Sequence, residues 1–168
     1  GPEKAMLEIF KAIDEFSSSR IIFTKPNSDA NNKIIGDMID DYVKNNPNRA
    51  KAFVSLGQLR YFSAIKNTDV ILGNSSSGLL EAPVFNKPTV NIGDRQKGRL
   101  RASSVIDCEE KSEHIAQAIN QALSKDFQKS LSHIQNPYRV GNTSKKICKT
   151  LKNFDLDRKL IKKFHDLK

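Results

Sequence analysis

Five short strand-like segments that alternate with helical patterns constrain the fold of this chain more than any other feature of its sequence. The segments lie at residues 20–24, 52–54, 69–72, 88–92 and 104–106. Each consists mainly of apolar or β-branched residues in a short run, whereas a strand with one face in water alternates apolar and polar residues. Strands that are buried on both faces and joined by helices form parallel sheets. The sequence therefore predicts an α/β fold with a Rossmann-like, doubly wound parallel sheet.

The pattern changes near residue 136, after which the only periodicity is helical. A chain of 168 residues can bury one core without disulfides or metals. We therefore expect one α/β domain at residues 1–135 and a C-terminal helical tail at residues 136–168. The tail has apolar residues at helical spacing and should pack against another surface. These residues are Ile147, Leu151, Leu156, Leu160, Phe164 and Leu167.

The positive charge of the chain is concentrated in the tail. The formal net charge is +9, and residues 125–168 hold twelve Lys and Arg against four Asp and Glu. Aromatic residues do not interleave with these charges, as they do in many proteins that bind single-stranded nucleic acid. The charges therefore indicate solvated helix faces, and we expect no nucleic acid as a partner.

Membrane proteins, secreted proteins and metal-binding scaffolds are disfavoured by the sequence. No apolar run reaches the roughly 18 residues of a membrane span, and no basic leader precedes an apolar stretch. The opening Gly1-Pro2 resembles an expression scar, which suggests an excised domain. Cys108 and Cys148 lack a CxxC partner and a histidine at ligand spacing. We expect a cytoplasmic protein with no membrane contact, no metal site and no cofactor.

The loop at residues 73–78 is the most informative candidate binding segment. Its sequence, Gly-Asn-Ser-Ser-Ser-Gly, leaves a predicted buried strand and enters a helix. Small residues let the backbone approach a phosphate closely, and the free N–H groups of a helix start favour an anion. The loop is not a Walker loop, because no Gly-Lys-Ser/Thr ends it. It therefore predicts a diphosphate cradle, with an ordinary helix-capping loop as the alternative.

Glu81 follows this loop within the first turns of the helix. A carboxylate there can interact with the helix dipole, which is a purely structural role. The residue three positions earlier is Gly78, so no capping box can form, and we expect the Glu81 carboxylate to be free to face a ligand. Carboxylates at such turns commonly bind both hydroxyls of a ribose. Pro83 predicts that the helix is short or kinked.

Two further strand-to-helix turns carry polar residues. Residues 91–99 contain two glycines and a cluster of charges, which is either a solvated loop or an anion site. Residues 25–29 end a strand and can simply start the next helix, with Asn27 as a turn residue. The three histidines have no nucleophile or carboxylate motif around them. The visible chemistry is therefore binding and not bond cleavage.

Four motifs occur in the order found in hydrolysing UDP-N-acetylglucosamine 2-epimerases. They are residues 23–29, residues 73–78 with Glu81, residues 91–93 followed by Arg95 and Gln96, and residues 136–138. The chain resembles this family over roughly residues 3–165, which corresponds to the family's second domain. It looks most similar to the branch that serves the sialic-acid and legionaminic-acid pathways. One departure is Arg139, where the family often has glycine.

The resemblance implies the second half of a two-domain enzyme of the glycosyltransferase-B architecture, with the UDP-sugar bound between the halves. It implies that Ser75 and Ser76 hold the diphosphate and that Glu81 binds the ribose. The other ligand contacts that it implies are Arg95, Asn27 and Val54, the last through its backbone near the uracil.

In this family UDP leaves by elimination to give a glycal, which is then hydrated with inversion at C2. The acid and base carboxylates resemble residues of the first domain, so the resemblance implies no catalytic residue in this chain and no turnover by the chain alone. It also implies a homo-oligomeric parent enzyme. Two alternatives remain from the residues alone. They are the donor-nucleotide domain of a glycosyltransferase and a basic domain that binds nucleic acid through its tail.

Overall fold

The computed structural model describes residues 1–26, 32–139 and 141–154. The chain divides into two compact units, Gly1–Pro137 and Tyr138–Lys168. The first unit contains the helices α1 (Pro2–Asp14), α2 (Asn32–Asn45), α3 (Gly57–Asn67), α4 (Ser77–Leu80), α5 (Ser112–Leu123) and α6 (Lys125–Ser130). Its strands are β1 (Ile21–Thr24), β2 (Ala50–Phe53), β3 (Ile71–Gly73), β4 (Thr89–Ile92) and β5 (Val105–Cys108). Short 3-10 helices cover Ala82–Phe85 and Leu131–His133.

All five predicted strands are confirmed, with ends that differ from the expected ones by at most two residues. Every described strand pair is parallel, as expected for strands joined by helices. The described strands form two hydrogen-bonded sheets instead of one, with the orders β1-β2 and β3-β4-β5. Ile21 pairs with Ala50 in the first sheet, and Val90 pairs with Leu72 and Ile106 in the second.

One apolar core spans both sheets. Its buried residues include Ala50 of β2 and Val90 of β4, together with residues of α1, α2 and α5. Phe10 of α1 stacks on Tyr42 of α2 with ring centroids 4.5 Å apart, and Phe23 of β1 meets Tyr42 edge-on at 5.6 Å. Because both sheets contribute to one core, burial of apolar area holds them in the same unit.

Glu8 connects α1 to the start of α5. Its Oε2 atom accepts a hydrogen bond from the backbone N–H of Ser112 at 2.9 Å. Its Oε1 atom lies 2.7 Å from Lys11 Nζ. The Lys11 ammonium and the Ser112 N–H both stabilise the charged carboxylate, so they lower the pKa of Glu8 from 4.5 to about 2.

The helix after the loop at residues 73–78, here named the serine loop, is short, as Pro83 predicts. α4 ends at Leu80, and the chain continues as the 3-10 helix Ala82–Phe85. Proline lacks the N–H that an α-helix would need at this position. Asn86 ends the segment in the left-handed conformation, with φ of 55°. The turn returns the chain to β4 within a few residues.

Gly78 sets the distance between α4 and β4. A Cβ atom at this position would lie 2.5 Å from Thr89 Cγ2, which is closer than any ordinary carbon–carbon contact. The Thr89 hydroxyl donates to the Gly78 carbonyl at 2.9 Å, and both residues are buried. The serine loop therefore enters its helix directly against the buried strand β4.

The second unit contains the helix α7 (Thr143–Asn153). Ile147, Leu151 and Phe154 are each at least half exposed in the structure. The rest of the predicted apolar stripe, from Leu156 onward, lies outside the described residues. No helix in the described ranges is both long enough and apolar enough to span a bilayer.

Candidate functional site

A cavity of about 420 Å³ opens beside the carboxyl ends of β1 and β2. In parallel α/β folds ligands bind beyond these strand ends. The β2–α3 loop forms one wall through residues 54–57, and α3 contributes Gln58, Tyr61 and Phe62. Thr24 and Glu81 complete the lining. The cavity therefore combines an apolar and aromatic wall with one carboxylate.

Glu81 lines the cavity, but one of its carboxylate oxygens has a partner that the absent capping box did not predict. Its Oε2 atom accepts a hydrogen bond from the Ser77 hydroxyl, which also contacts the hydroxyl of Tyr61. Ser77 lies four residues before Glu81, a spacing that brings side chains together on one helix face. One carboxylate oxygen is therefore held by the protein, and among the residues that the structure describes no donor is bonded to Oε1.

The serine loop does not contribute to the cavity lining, although it ends only three residues before Glu81, which does. Ser75 is exposed and Ser76 is half-buried. Ser75 Oγ accepts a hydrogen bond from the backbone N–H of Ser77 at 3.3 Å, which is the capping contact expected of an ordinary loop. Ser76 precedes α4 and makes no side-chain capping bond within the described chain.

Arg95 and Gln96 join the loop after β4 to the serine loop. Arg95 is exposed, and its Nη1 donates to Asn74 Oδ1 at 3.4 Å. Gln96 is buried, and its Nε2 donates to the Asn74 carbonyl oxygen at 2.7 Å. The two loops that the sequence singled out separately are therefore connected through Asn74. Arg95 is positioned beside the loop that carries Ser75 and Ser76.

A second group of polar residues holds the loop after β4 in place. Arg101 Nε lies 2.8 Å from Asp107 Oδ2, and Arg101 Nη2 donates to the Gln96 carbonyl oxygen at 3.4 Å. The fully buried Asn91 donates from Nδ2 to Asp107 Oδ1 at 2.7 Å. In the described ranges the side-chain oxygens of Asn91 and Gln96 have no hydrogen-bond donor. The network fixes the loop that carries Arg95.

The predicted site residues are thus placed in two neighbouring groups. Val54, which is 76% exposed, and Glu81 line the cavity. Ser75, Ser76 and Arg95 lie at the two loops joined by Asn74. Asn27 lies outside the described residues.

Three residues of the site were not individually predicted from the sequence to have a role: Tyr61, Ser77 and Gln96. Ser77 could have been found from its four-residue spacing to Glu81. Tyr61 contacts Ser77 across 16 positions of sequence, and no local pattern signals such a contact.

A second cavity, of about 330 Å³, lies between β5 and α5. Cys108, Glu109 and His114 are among its lining residues. Burial and the neighbouring Asp107 carboxylate raise the pKa of the Cys108 thiol to about 11. Within the residues that the structure describes, no group of three or more His, Cys, Asp or Glu could hold a metal ion.

Comparison with known proteins assigns the chain to a family. The family model described as UDP-N-acetylglucosamine 2-epimerase matches residues 1–152. The chain belongs to the UDP-N-acetylglucosamine 2-epimerase family. It is 42% identical over 166 residues to the GDP/UDP-N,N'-diacetylbacillosamine 2-epimerase (hydrolyzing) of Campylobacter jejuni, covering 98% of this chain and 43% of that protein.

A second relative belongs to Legionella pneumophila. The chain is 34% identical over 144 residues to the UDP-N,N'-diacetylbacillosamine 2-epimerase (hydrolyzing) of this organism, with 86% of this chain and 37% of that protein covered. The chain therefore spans about two fifths of the length of the curated relatives that it matches.

Solved epimerase structures share the fold of this chain. The UDP-GlcNAc 2-epimerase of Methanocaldococcus jannaschii in complex with UDP-GlcNAc and UDP superposes with a TM-score of 0.69 at 20% identity, covering 89% of this chain and 40% of that one. The S. aureus MnaA–UDP structure gives a TM-score of 0.69 at 21% identity, covering the same shares of the two chains. These similarities confirm the predicted Rossmann-like α/β fold class of the glycosyltransferase-B type.

Proposed function

We propose that this chain is the nucleotide-binding C-terminal half of a hydrolysing 2-epimerase and that it holds the UDP portion of a UDP-sugar. The observation that carries the proposal is the joining of two polar loops through Asn74, together with the hydrogen bond from Ser77 of the first loop to Glu81 in the cavity lining. This arrangement offers an anion-binding edge and a nucleoside-sized space next to each other. Membership of the epimerase family and the partial coverage of its relatives support the same assignment.

In this proposal the nucleoside occupies the cavity and the diphosphate lies against the joined loops. Glu81 would accept hydrogen bonds from the ribose hydroxyls, and the backbone at Val54 would contact the uracil. Ser75 and Ser76 would donate to the diphosphate, and the Arg95 guanidinium would neutralise part of its charge. Asn27 is a further ligand contact in this proposal.

In the complete enzyme this half would act mainly on the leaving group. Elimination breaks the bond between C1 and the diphosphate oxygen, a proton leaves C2, and UDP departs with the bonding electron pair. Water then adds across the glycal with inversion at C2, so that UDP and the free 2-epimeric sugar are the products. Arg95 and the loop hydroxyls would stabilise the negative charge that develops on the departing UDP.

The acid and base groups of this reaction would come from the N-terminal half. We therefore expect the 168-residue chain to bind nucleotide without turning over a UDP-sugar. The tail at residues 136–168 would pack toward that half, and the parent enzyme would be a cytoplasmic homo-oligomer.

Two UDP-sugars are candidate substrates of the complete enzyme. UDP-N-acetylglucosamine, which would give N-acetylmannosamine, is one candidate. A diacetamido UDP-sugar is the second, and it is favoured by the 42% identity to an enzyme named for N,N'-diacetylbacillosamine. Either product would enter nonulosonic acid synthesis.

Isothermal titration calorimetry of the chain with UDP, uridine and GDP tests the proposal. We expect saturable binding of UDP, weaker binding of uridine because it lacks the diphosphate, and a ¹⁵N spectrum in which UDP shifts the amides of Ser75, Ser76 and Glu81. Absence of UDP binding, or shifts confined to other residues, would refute the assignment.

Two measurements separate the alternatives. A glycosyltransferase domain predicts that the parent protein releases UDP only when an acceptor is added, whereas an epimerase releases UDP with water alone. A nucleic-acid-binding domain predicts binding to an oligonucleotide whose affinity falls steeply with salt and is unaffected by free UDP.

A further inference from the structure

We propose that Tyr61 is a positioning residue which, through Ser77, orients the Glu81 carboxylate toward the ribose diol of the bound nucleotide. This inference rests on the proposed function, since it concerns how the same cavity recognises the ribose of the nucleoside. Tyr61 and Glu81 both line the cavity, and the Ser77 hydroxyl contacts each of them. The three side chains come from α3, the first residue of α4 and the residue after α4.

The direction of the hydrogen bonds follows from counting protons. A serine hydroxyl has one proton to donate, and an ionised carboxylate can only accept. Ser77 donates its proton to Glu81 Oε2, so it has none left for Tyr61. Tyr61 must therefore be the donor to Ser77. The chain of hydrogen bonds runs in one direction, from the phenol to the carboxylate.

This direction determines what Glu81 can offer a ligand. With Oε2 held by Ser77, the other oxygen keeps two lone pairs, which match the two hydroxyl donors of a ribose. If the tyrosine hydroxyl were absent, the Ser77 hydroxyl could rotate toward another acceptor, as serine side chains in helices readily do. Glu81 would then lose a fixed partner, and its carboxylate would have to be ordered each time a nucleotide binds.

The aromatic ring of Tyr61 is held independently of its hydroxyl. Its centroid lies 6.1 Å from that of Phe62, which in turn lies 5.5 Å from the ring of Phe85. Replacement of Tyr61 by phenylalanine therefore keeps the ring and the cavity wall while it removes the donor. Tyr42 provides the matched control, because its hydroxyl also donates to a carboxylate, that of Asp14, but lies in the α1–α2 packing and not in the cavity lining.

The experiment compares UDP with 2′-deoxyuridine 5′-diphosphate by calorimetry on the 168-residue chain. Wild-type protein should prefer UDP. Tyr61→Phe should weaken UDP binding about tenfold, as expected when a charge-linked hydrogen bond is lost, and change binding of the deoxy ligand less than about twofold. Tyr42→Phe should leave both affinities unchanged.

Ser77→Ala is the second variant, and it should give the same pattern as Tyr61→Phe. Combining the two should add no further loss, because both remove the same chain of hydrogen bonds. Thermal unfolding of each variant checks that it is folded, and Ser77→Ala serves alone if Tyr61→Phe is not.

Each other outcome has a defined meaning. Equal weakening of both ligands indicates a general role in cavity shape and overturns the inference, as does unchanged UDP affinity in the folded variants. Wild-type binding of both ligands with equal affinity refutes ribose recognition by Glu81 while UDP binding stands. Binding of neither ligand by the wild type refutes the proposed function itself.

Discussion

Replacement of Gly78 by alanine tests how closely α4 must approach β4. The added Cβ would lie 2.5 Å from Thr89 Cγ2. Carbon atoms prefer about 3.5 to 4.0 Å, so the helix start or Thr89 must move by about 1 Å. Thr89 is 2% exposed and bound through its hydroxyl to the Gly78 carbonyl, which leaves it little room to move. Overpacking of this kind costs about 1 to 3 kcal/mol.

Thermal unfolding measures the cost directly. For a chain of this size each kcal/mol lowers the melting temperature by about 2 to 4 °C. Gly36→Ala is the matched control, because Gly36 lies within α2 and a Cβ there would meet no heavy atom within 4 Å among the described residues, apart from its chain neighbours and its own helix backbone. Alanine in a helix interior is more favourable than glycine by about 0.5 to 1 kcal/mol, so this variant should melt at a higher temperature.

A rescue variant tests whether the contact with the Thr89 methyl group causes the loss of stability. Thr89→Ser removes the Cγ2 methyl group and keeps the hydroxyl that donates to Gly78, so it should restore most of the stability lost in Gly78→Ala. UDP affinity should follow the same order, since the displaced helix start carries the serine loop. A Gly78→Ala protein as stable as wild type, or one that Thr89→Ser does not rescue, would contradict the steric explanation.

Three further predictions concern charge and thiol chemistry. Arg95→Ala should weaken UDP binding by about 1 to 3 kcal/mol, as loss of one charge-assisted contact does, and leave uridine binding unchanged by calorimetry; an equal loss for both ligands would contradict a diphosphate contact. Because the pKa of Glu8 is lowered from 4.5 to about 2, its stabilisation is complete above pH 4.5 and is lost as the pH falls toward 2. Glu8→Gln should therefore flatten the decline of melting temperature across this window, whereas Glu3→Gln on the same helix should not; identical pH profiles for wild type and Glu8→Gln would refute this. The raised pKa of Cys108 keeps its thiol protonated at neutral pH, so iodoacetamide should alkylate the exposed Cys148 first, as peptide mass spectrometry can determine; faster labelling of Cys108 would be the contrary result.

The strands could be predicted because their signal is local. Continuous apolar runs such as residues 70–72 identify buried parallel strands without knowledge of their neighbours. The separation into two sheets could not be predicted, because hydrogen-bond partners such as Ile21 and Ala50 are far apart in sequence. The short α4 was predictable from Pro83, since proline acts on the backbone at its own position.

The candidate site was only partly predictable, because several of its contacts join residues that are far apart in sequence. The serine loop and Glu81 stand out because their residue types and strand-end location are visible in sequence. The link from the Gln96 side chain to the Asn74 carbonyl depends on how two loops approach each other, and the two residues lie 22 positions apart in sequence. The hydrogen bond that holds one Glu81 oxygen was missed because only the capping box was considered and not the four-residue spacing to Ser77.

In the proposed site the two sheets would contribute to different parts of the nucleotide. The β1-β2 sheet leads into the loop with Val54, on the side proposed for the base. The β3-β4-β5 sheet leads into the loops with Ser75 and Arg95, on the side proposed for the phosphates. If this proposal holds, substitutions in residues 54–58 would alter base preference and leave the residues proposed to contact the diphosphate unchanged.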